Sequence, residues 1–170
     1  MSCMHARRII ALPILVALLS AGILVALSAT PASAHATGNR GAQVAKIVDA
    51  LKIARAQKGE PYVYGAAGPD SFDCSGLTQY SFGRAGISLP RVSGDQANFA
   101  RRLKNKTNIK RGDFMFFDSG SGVYHMGLFA GRWEDGRRVI LHASQTGTPV
   151  KTDPLWTGDW FAGTLRPQRR

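Results

Sequence analysis

The sequence predicts an α+β domain in which helices come first and an antiparallel sheet follows. Apolar residues recur at helical spacing in the first half, whereas the second half contains short runs of apolar, aromatic and β-branched residues. Clusters of Gly, Asp and Ser separate those runs, and helices do not alternate with strands as they do in parallel βαβ units. A chain of 170 residues supports one such domain.

The N-terminal segment, residues 1–34, has the organisation of an export signal. Basic residues precede an almost wholly apolar run at residues 9–29, and small residues at Ala32 and Ala34 then form a cleavage site of the A-x-A type. The alternative is a membrane anchor that stays attached, because the apolar run is long enough to span a bilayer. We expect cleavage after Ala34 and a secreted protein that meets the membrane only through this segment.

The rest of the chain divides into a short polar start and the domain. Residues 35–43 are small and polar, so they are expected to be frayed, and the domain is expected to span residues 44–170. Its first helix begins at Val44, where apolar residues start to recur at helical spacing. That helix ends near Gly59, because the Glu-Pro pair that follows does not allow a helix to continue.

Two further helices and four strands complete the predicted domain. A Gly-rich loop leads into a helix over residues 74–84, and a third helix is predicted over residues 93–103, where Ser93 and Gln96 have the spacing of a capping box. The predicted strands are residues 113–117, 125–130, 138–144 and 160–165. The turn between the second and third strands predicts an antiparallel hairpin.

The chemistry centres on one thiol. Cys74 opens the second predicted helix, where unpaired backbone N–H groups and the positive end of the helix dipole favour the thiolate and can stabilise an oxyanion. Cys3 lies in the segment to be removed, which leaves Cys74 alone in the exported chain. A lone cysteine in such a protein is a packing residue, an intermolecular link or a reactive thiol.

Two histidines lie on the predicted hairpin. If the turn is centred on Glu134, the side chains of His125 and His142 lie opposite each other or one residue out of register. His125 can then exchange a proton with the thiol while His142 orients its ring. A slip of one residue would place the two rings on opposite faces of the sheet, and each histidine alone could be a half-exposed strand residue.

Six segments occur in one order along the chain and carry a family resemblance. They are GEPYVYG (59–65), FDCSGL (72–77), LPR (89–91) followed by Gln96, GDFMFF (112–117), YHMGLFAG (124–131) and LHA (141–143). Together they resemble the NlpC family of bacterial cell-wall endopeptidases, which are papain-like cysteine peptidases. The resemblance implies that N-terminal helices pack on a central antiparallel sheet, with the catalytic cysteine at a helix N-terminus. Ala66 departs from the family pattern, in which glycine is common at that position.

The resemblance also assigns roles to candidate site residues. It implies that Cys74 is the nucleophile, that His125 is the general base and then acid, and that His142 orients it. The implied contacts with the oxyanion or the substrate are made by Tyr62, Asp73, Ser75 and Arg91, of which Asp73 and Ser75 would meet the free amine of a stem peptide. Without the family, Tyr62 could be a packing aromatic, Asp73 a helix N-cap and Arg91 a surface charge.

The implied reaction is cleavage of the peptidoglycan stem peptide, commonly between the γ-carboxyl of D-glutamate and a diamino acid. It would proceed by acyl transfer from a resting imidazolium–thiolate pair in a monomer, without a cofactor or metal, since the sequence has neither an H-E-x-x-H motif nor a pair of nearby cysteines. The alternatives are a non-catalytic wall-binding protein on the same fold, or an amidase or acyltransferase that acts on another substrate.

The chain is strongly basic, with a formal net charge of +11. Lysines and arginines cluster at residues 101–111 and 166–170, which predicts attraction to anionic wall polymers or to carboxylates of the substrate. The alternative is a solvated basic face that keeps the protein soluble. Nucleic acid is not expected as a partner, because the chain carries an export signal and no recognised nucleic-acid module.

Overall fold

The computed structural model describes residues 32–168, with side chains from residue 38 onward. The predicted export signal lies outside the described residues except for its last three, so its cleavage stays a prediction. Within the described part of the chain, no helix combines the length and the apolar character that crossing a bilayer requires.

Within residues 32–168, three α-helices precede the sheet. They are α1 (Ala32–Ala56), α2 (Cys74–Arg84) and α3 (Ser93–Phe99). The bounds of α2 are those predicted. α1 begins well before Val44, so residues 35–43 are helical and the prediction of a frayed start is wrong. Helix propensity does not explain this, because the segment holds two glycines beside its two alanines. A helix that is already nucleated in residues 44–56 extends at lower cost than a new helix forms.

A six-stranded antiparallel sheet follows the helices. Its strands are β1 (Arg101–Arg102), β2 (Phe114–Asp118), β3 (Val123–Arg132), β4 (Arg138–His142), β5 (Lys151–Pro154) and β6 (Phe161–Thr164). They are arranged in the order β1-β6-β2-β3-β4-β5, so β2 and β3 are central. The four predicted strands correspond to β2, β3, β4 and β6, and the six strands of this sheet pair antiparallel.

Two short edge strands were not predicted. The residues expected to continue α3 form β1 instead, because Arg101 and Arg102 pair with the end of β6. Both side chains are exposed, and backbone pairing with β6 holds the segment extended, together with the guanidinium of Arg102, which lies 4.0 Å from the centroid of the Phe161 ring. β5 reads Lys-Thr-Asp-Pro, which has no apolar alternation, and its proline is tolerated because the strand lies at the edge of the sheet.

The sheet lies between two apolar clusters. Successive residues of β2 alternate between them, as the two-residue period of a strand requires. Phe114 and Phe116 belong to the larger cluster, which includes residues of α1 and α2, whereas Met115 and Phe117 belong to the smaller one. His125 lies directly opposite Phe117 across the β2–β3 pair. The packing of α2 against β3 brings the start of that helix to the histidine-bearing strand.

Candidate active site

Cys74 is the first residue of α2 and carries a free thiol. The preceding residue, Asp73, is the N-cap and accepts a hydrogen bond of 2.7 Å from the backbone N–H of Gly76. Backbone N–H groups of Met126, Ser75 and Cys74 itself lie near enough to the sulfur to lower its pKa. Because Met126 follows His125 in β3, the thiol lies beside the backbone of the strand that carries the first histidine.

Burial decides the ionisation of the thiol. It raises the pKa of Cys74 above its ordinary value, and the negative charge of Asp73 raises it further. The three backbone N–H groups lower the pKa but do not offset these effects. The sequence predicted a thiolate because it located the helix start, but the desolvation of that position depends on the tertiary structure.

The two histidine rings are in contact. His125 is 8% exposed and His142 is 1% exposed, and Nε2 of His125 lies 2.8 Å from Nδ1 of His142. That distance is a hydrogen bond between ring nitrogens, so the rings share one hydrogen along this edge. Nδ1 of His125 is left as the nitrogen that can face the thiol.

A β-bulge places the two histidines on one face of the sheet. Leu128 lies opposite Leu141, and continuing that register by one residue puts Gly127 opposite His142. His125, two residues before Gly127, therefore lies on the same face as His142 and diagonal to it. The sequence predicted direct opposition or a one-residue offset. The difference arises from the register shift between Phe129 and Gly131; without it, the pairing next to the turn would place the rings on opposite faces.

Both imidazoles are held neutral at pH 7. Burial, followed by the charge of His142, lowers the pKa of His125 to about 4. Burial also lowers the pKa of His142, although the neighbouring Asp153 acts in the opposite direction. With Cys74 shifted upward, the free protein favours a neutral thiol beside a neutral imidazole. The resting imidazolium–thiolate pair predicted from the sequence is therefore not the state that this environment favours.

Two residues that the sequence did not single out complete the histidine side of the site. Oδ2 of Asp153 lies 3.1 Å from Nε2 of His142, and the ring of Trp156 lies 5.5 Å from that of His142 and 6.1 Å from that of His125. Only the register of β5 against β4 brings Asp153 to His142. No sequence pattern predicts that strand or its register, so no local signal could have identified either residue.

Asp73 and Arg91 form an ion pair in the cleft that Cys74 also lines. Nη2 of Arg91 lies 2.6 Å from Oδ2 of Asp73, and its Nη1 donates to the hydroxyl of Ser75 at 3.0 Å. Burial tends to raise the pKa of Asp73, but hydrogen bonds from Arg91 and from backbone N–H groups outweigh it and lower the pKa. Arg91 is thus a partner of the N-cap, not an isolated surface charge, while contact of Asp73 and Ser75 with a substrate amine stays a prediction.

Gln96 braces the turn that carries the thiol. Its Nε2 donates to the backbone carbonyls of Ser75 and Pro90 at 2.9 and 2.8 Å, and its Oε1 accepts from Thr78 at 2.7 Å. The predicted capping box is wrong, because the N-cap of α3 is Val92 and no side chain caps that helix. A fully buried amide is hydrogen-bonded where it has partners, and here the partners belong to α2.

An open cleft of about 460 Å³ exposes Cys74 to a ligand. Its lining includes Tyr62, Tyr64, Cys74, Ser75, Arg91 and Tyr124. Burial, and then the charges of Cys74 and Asp73, raise the pKa of Tyr62, so its hydroxyl is protonated at pH 7 and can donate a hydrogen bond. Among the residues described, no three His, Cys, Asp or Glu side chains converge in a way that could hold a metal ion.

Comparison with known proteins identifies a family and several relatives. Residues 59–169 match the NlpC/P60 family. The chain is 43% identical over 110 residues to "Probable endopeptidase p60" of Listeria monocytogenes, covering 64% of this chain and 21% of that protein. It is 38% identical over 114 residues to "Bifunctional muramidase/DL-endopeptidase CwlT" of Bacillus subtilis, covering 65% of this chain and 32% of that protein. The chain thus matches a third or less of the length of these relatives.

Solved structures share the fold. The peptidoglycan hydrolase RipB of Mycobacterium tuberculosis superposes with a TM-score of 0.64 at 29% identity, covering 76% of this chain and 69% of RipB. RipD of the same organism, described as a non-catalytic NlpC/p60 domain protein adapted to peptidoglycan binding, gives 0.58 at 22% identity, covering 71% and 97%, and its likeness concerns the fold alone. By its sequence match and its papain-like α+β fold, the chain belongs to the NlpC/P60 family.

Proposed function

We propose that this protein is a secreted peptidoglycan hydrolase that cleaves a stem peptide by acyl transfer to Cys74. The observation that carries the proposal is the position of the thiol at the N-terminus of α2, in an open cleft and beside the strand that carries the His125–His142 pair. Support also comes from relatives that are named as endopeptidases and from RipB, which is named as a peptidoglycan hydrolase.

The chemistry starts from the neutral pair. His125 takes the thiol proton through Nδ1 as the sulfur attacks the amide carbonyl, and a C–S bond forms. Backbone N–H groups at the helix start and the hydroxyl of Tyr62 stabilise the oxyanion. His125, now an imidazolium, gives its proton to the leaving amine as the C–N bond breaks. Water then attacks the thioester, releasing the acid and returning the proton to the sulfur.

The bond that we propose is the one between the γ-carboxyl of D-glutamate and a diamino acid. It is the usual bond for the family that the motifs resemble, and CwlT is named as a DL-endopeptidase. Tyr62, Asp73, Ser75 and Arg91 are the proposed substrate contacts, because they border Cys74 in the cleft. Exposed basic residues such as Arg101, Arg102 and Lys104 would draw the protein to anionic wall polymers.

The decisive experiment is mass spectrometry of stem peptides after incubation of cell-wall sacculi with the exported protein. We expect one new fragment from the wild type and a rate lower by about a thousandfold or more for Cys74→Ala, since the nucleophile is lost. Ser88→Ala, which changes an exposed residue outside the cleft, is the control and should keep the wild-type rate. Full cleavage by folded Cys74→Ala would refute the assignment of the nucleophile.

The same preparation tests the rival functions. A wild-type protein that binds sacculi, cleaves nothing and leaves its thiol unreactive toward an alkylating reagent would be a non-catalytic wall-binding protein. Release of a product other than a stem-peptide fragment would instead indicate an amidase or acyltransferase. N-terminal sequencing of the protein recovered from the culture medium tests secretion, and we expect the mature chain to begin at His35.

A further inference from the structure

Asp153 extends the histidine pair by one more hydrogen-bonded group. In the β4–β5 pair, His142 lies opposite Lys151, so Asp153 lies two residues further along β5 on the same face. Its Oδ2 is 3.1 Å from Nε2 of His142 and 3.0 Å from Nζ of Lys151. The groups from His125 to Asp153 therefore form a continuous chain across three strands.

The carboxylate determines which ring nitrogens carry hydrogen. Partial burial tends to raise the pKa of Asp153, but hydrogen bonds from His142 and Lys151 outweigh it and lower the pKa, so the group is ionised at pH 7 and only accepts. Nε2 of His142 must then be the donor. In a neutral ring that leaves Nδ1 of His142 as an acceptor, so Nε2 of His125 donates to it and Nδ1 of His125 holds a free electron pair.

The opposite arrangement of hydrogens would be costly. If Nδ1 of His142 donated to His125, its Nε2 lone pair would face the carboxylate of Asp153 at 3.1 Å. The ring nitrogen and the carboxylate oxygen would then both be acceptors, with no hydrogen between them. His142 is 1% exposed, and a buried polar atom without a partner is destabilising. In that arrangement His125 would also present an N–H to the thiol and could not take its proton.

We propose that Asp153 is a positioning residue that sets the tautomers of both histidines, so that His125 presents an unprotonated Nδ1 to Cys74. The consequence for catalysis rests on the proposed hydrolase function. The tautomers themselves are a property of the resting protein and do not depend on any substrate.

The test is ¹⁵N NMR of the imidazole nitrogens in the whole protein at neutral pH. In the wild type we expect Nε2 to be protonated and Nδ1 to be unprotonated in both rings. In Asp153→Asn the amide can donate as well as accept, so we expect the tautomers to become mixed or reversed. Asp153→Glu restores a carboxylate and should recover the wild-type pattern at least in part. The control is Asp159→Asn, which makes the same chemical change at an exposed carboxylate and should change nothing.

Activity provides the second readout. We expect kcat of Asp153→Asn on sacculi to fall by about tenfold to a hundredfold with little change in KM, because the residue orients the base and does not touch the substrate. An unprotonated Nε2 on His142 of the wild type would overturn the proposal, as would wild-type tautomers and kcat in a folded Asp153→Asn. The wild-type spectrum decides even if the variant does not fold. Absence of any cleavage by the wild type would refute the hydrolase function and leave the tautomer measurement valid.

Discussion

Trp156 covers the two histidines while its own side chain is half exposed. Its ring stacks on Phe117 with centroids 4.7 Å apart and an interplanar angle of 8°, and from there it reaches over His142 and His125. Burial is the largest cause that lowers the pKa of both imidazoles. One aromatic residue therefore accounts for part of the neutral state on which the proposed base depends.

Removal of the Trp156 ring should bring the pKa of His125 closer to its ordinary value. We expect Trp156→Ala to raise the pKa of His125 from about 4 toward 6.5, because water reaches the ring and stabilises the imidazolium. The measurement is an NMR titration of the His125 ring. Trp133→Ala, on the hairpin turn and away from the histidines, is the matched control and should leave that titration unchanged. An unshifted pKa in Trp156→Ala would mean that other groups exclude water from the ring.

At the scale of an element, the β3–β4 hairpin aligns the histidine pair, and Gly127 lets its strands close. A Cβ at Gly127 would lie 2.7 Å from side-chain carbons of Ile140 and 2.7 Å from the carbonyl oxygen of Leu141. Both contacts are shorter than van der Waals distance, and the carbonyl belongs to the backbone of β4. The absence of a side chain here lets β3 and β4 pair tightly between the two rings.

Gly127→Ala should therefore weaken the fold and the site together. We expect a loss of about 1–3 kcal/mol of unfolding free energy from overpacking, with a lower kcat because the His125–His142 hydrogen bond lengthens. Urea denaturation and steady-state kinetics measure the two effects. Gly83→Ala in α2 is the control: its Cβ would meet nothing within 4 Å, and alanine in a helix should stabilise by about 0.5–1 kcal/mol. Unchanged stability in Gly127→Ala would show that β3 and β4 can separate at little cost.

Elements were predictable from sequence where their determinants are local. α2 has the predicted bounds, because Asp73 caps the helix within the same short segment that contains the thiol. β5 was missed because its pairing with β4, not its composition, makes it a strand. The register of the hairpin was missed because a bulge at Ala130 depends on how β3 and β4 pack, which the turn residues do not encode.

At the scale of the whole molecule, the site is assembled from segments that are distant along the chain. The proposed nucleophile comes from α2, the histidines from β3 and β4, and the carboxylate from β5. The motifs identified Cys74, His125 and His142 as candidates, but they could not reveal that folding buries these groups far enough to keep them neutral. The protonation states of these groups thus depend on the complete fold. They should also make the stability of the protein depend on pH.

The burial of neutral His125 should make the fold less stable in mild acid. The folded-state pKa of about 4 lies below the ordinary value of 6.5, so as pH falls the unfolded chain takes up the proton first. Stability is therefore fully present above pH 6.5 and is lost as pH falls toward 4. A shift of this size corresponds to about 3 kcal/mol from His125. The lowered pKa of His142 acts in the same direction.

Urea denaturation at pH 7 and at pH 4.5 tests this expectation, and His125→Asn isolates the contribution of that ring. Carboxylates such as Asp73 and Asp153 lose stabilisation only as pH falls through 3.8 and below, outside this window, because their pKa values are lowered from that value. Asp113, whose pKa burial raises, acts in the opposite direction and is present in both proteins. We expect the wild type to lose about 2–3 kcal/mol more than His125→Asn over this interval. Equal losses would mean that burial does not lower the folded-state pKa of His125 below its ordinary value of 6.5. A smaller loss in the wild type than in His125→Asn would mean that the folded protein holds an imidazolium, and the neutral-base mechanism would then have to be replaced by one that starts from the ion pair.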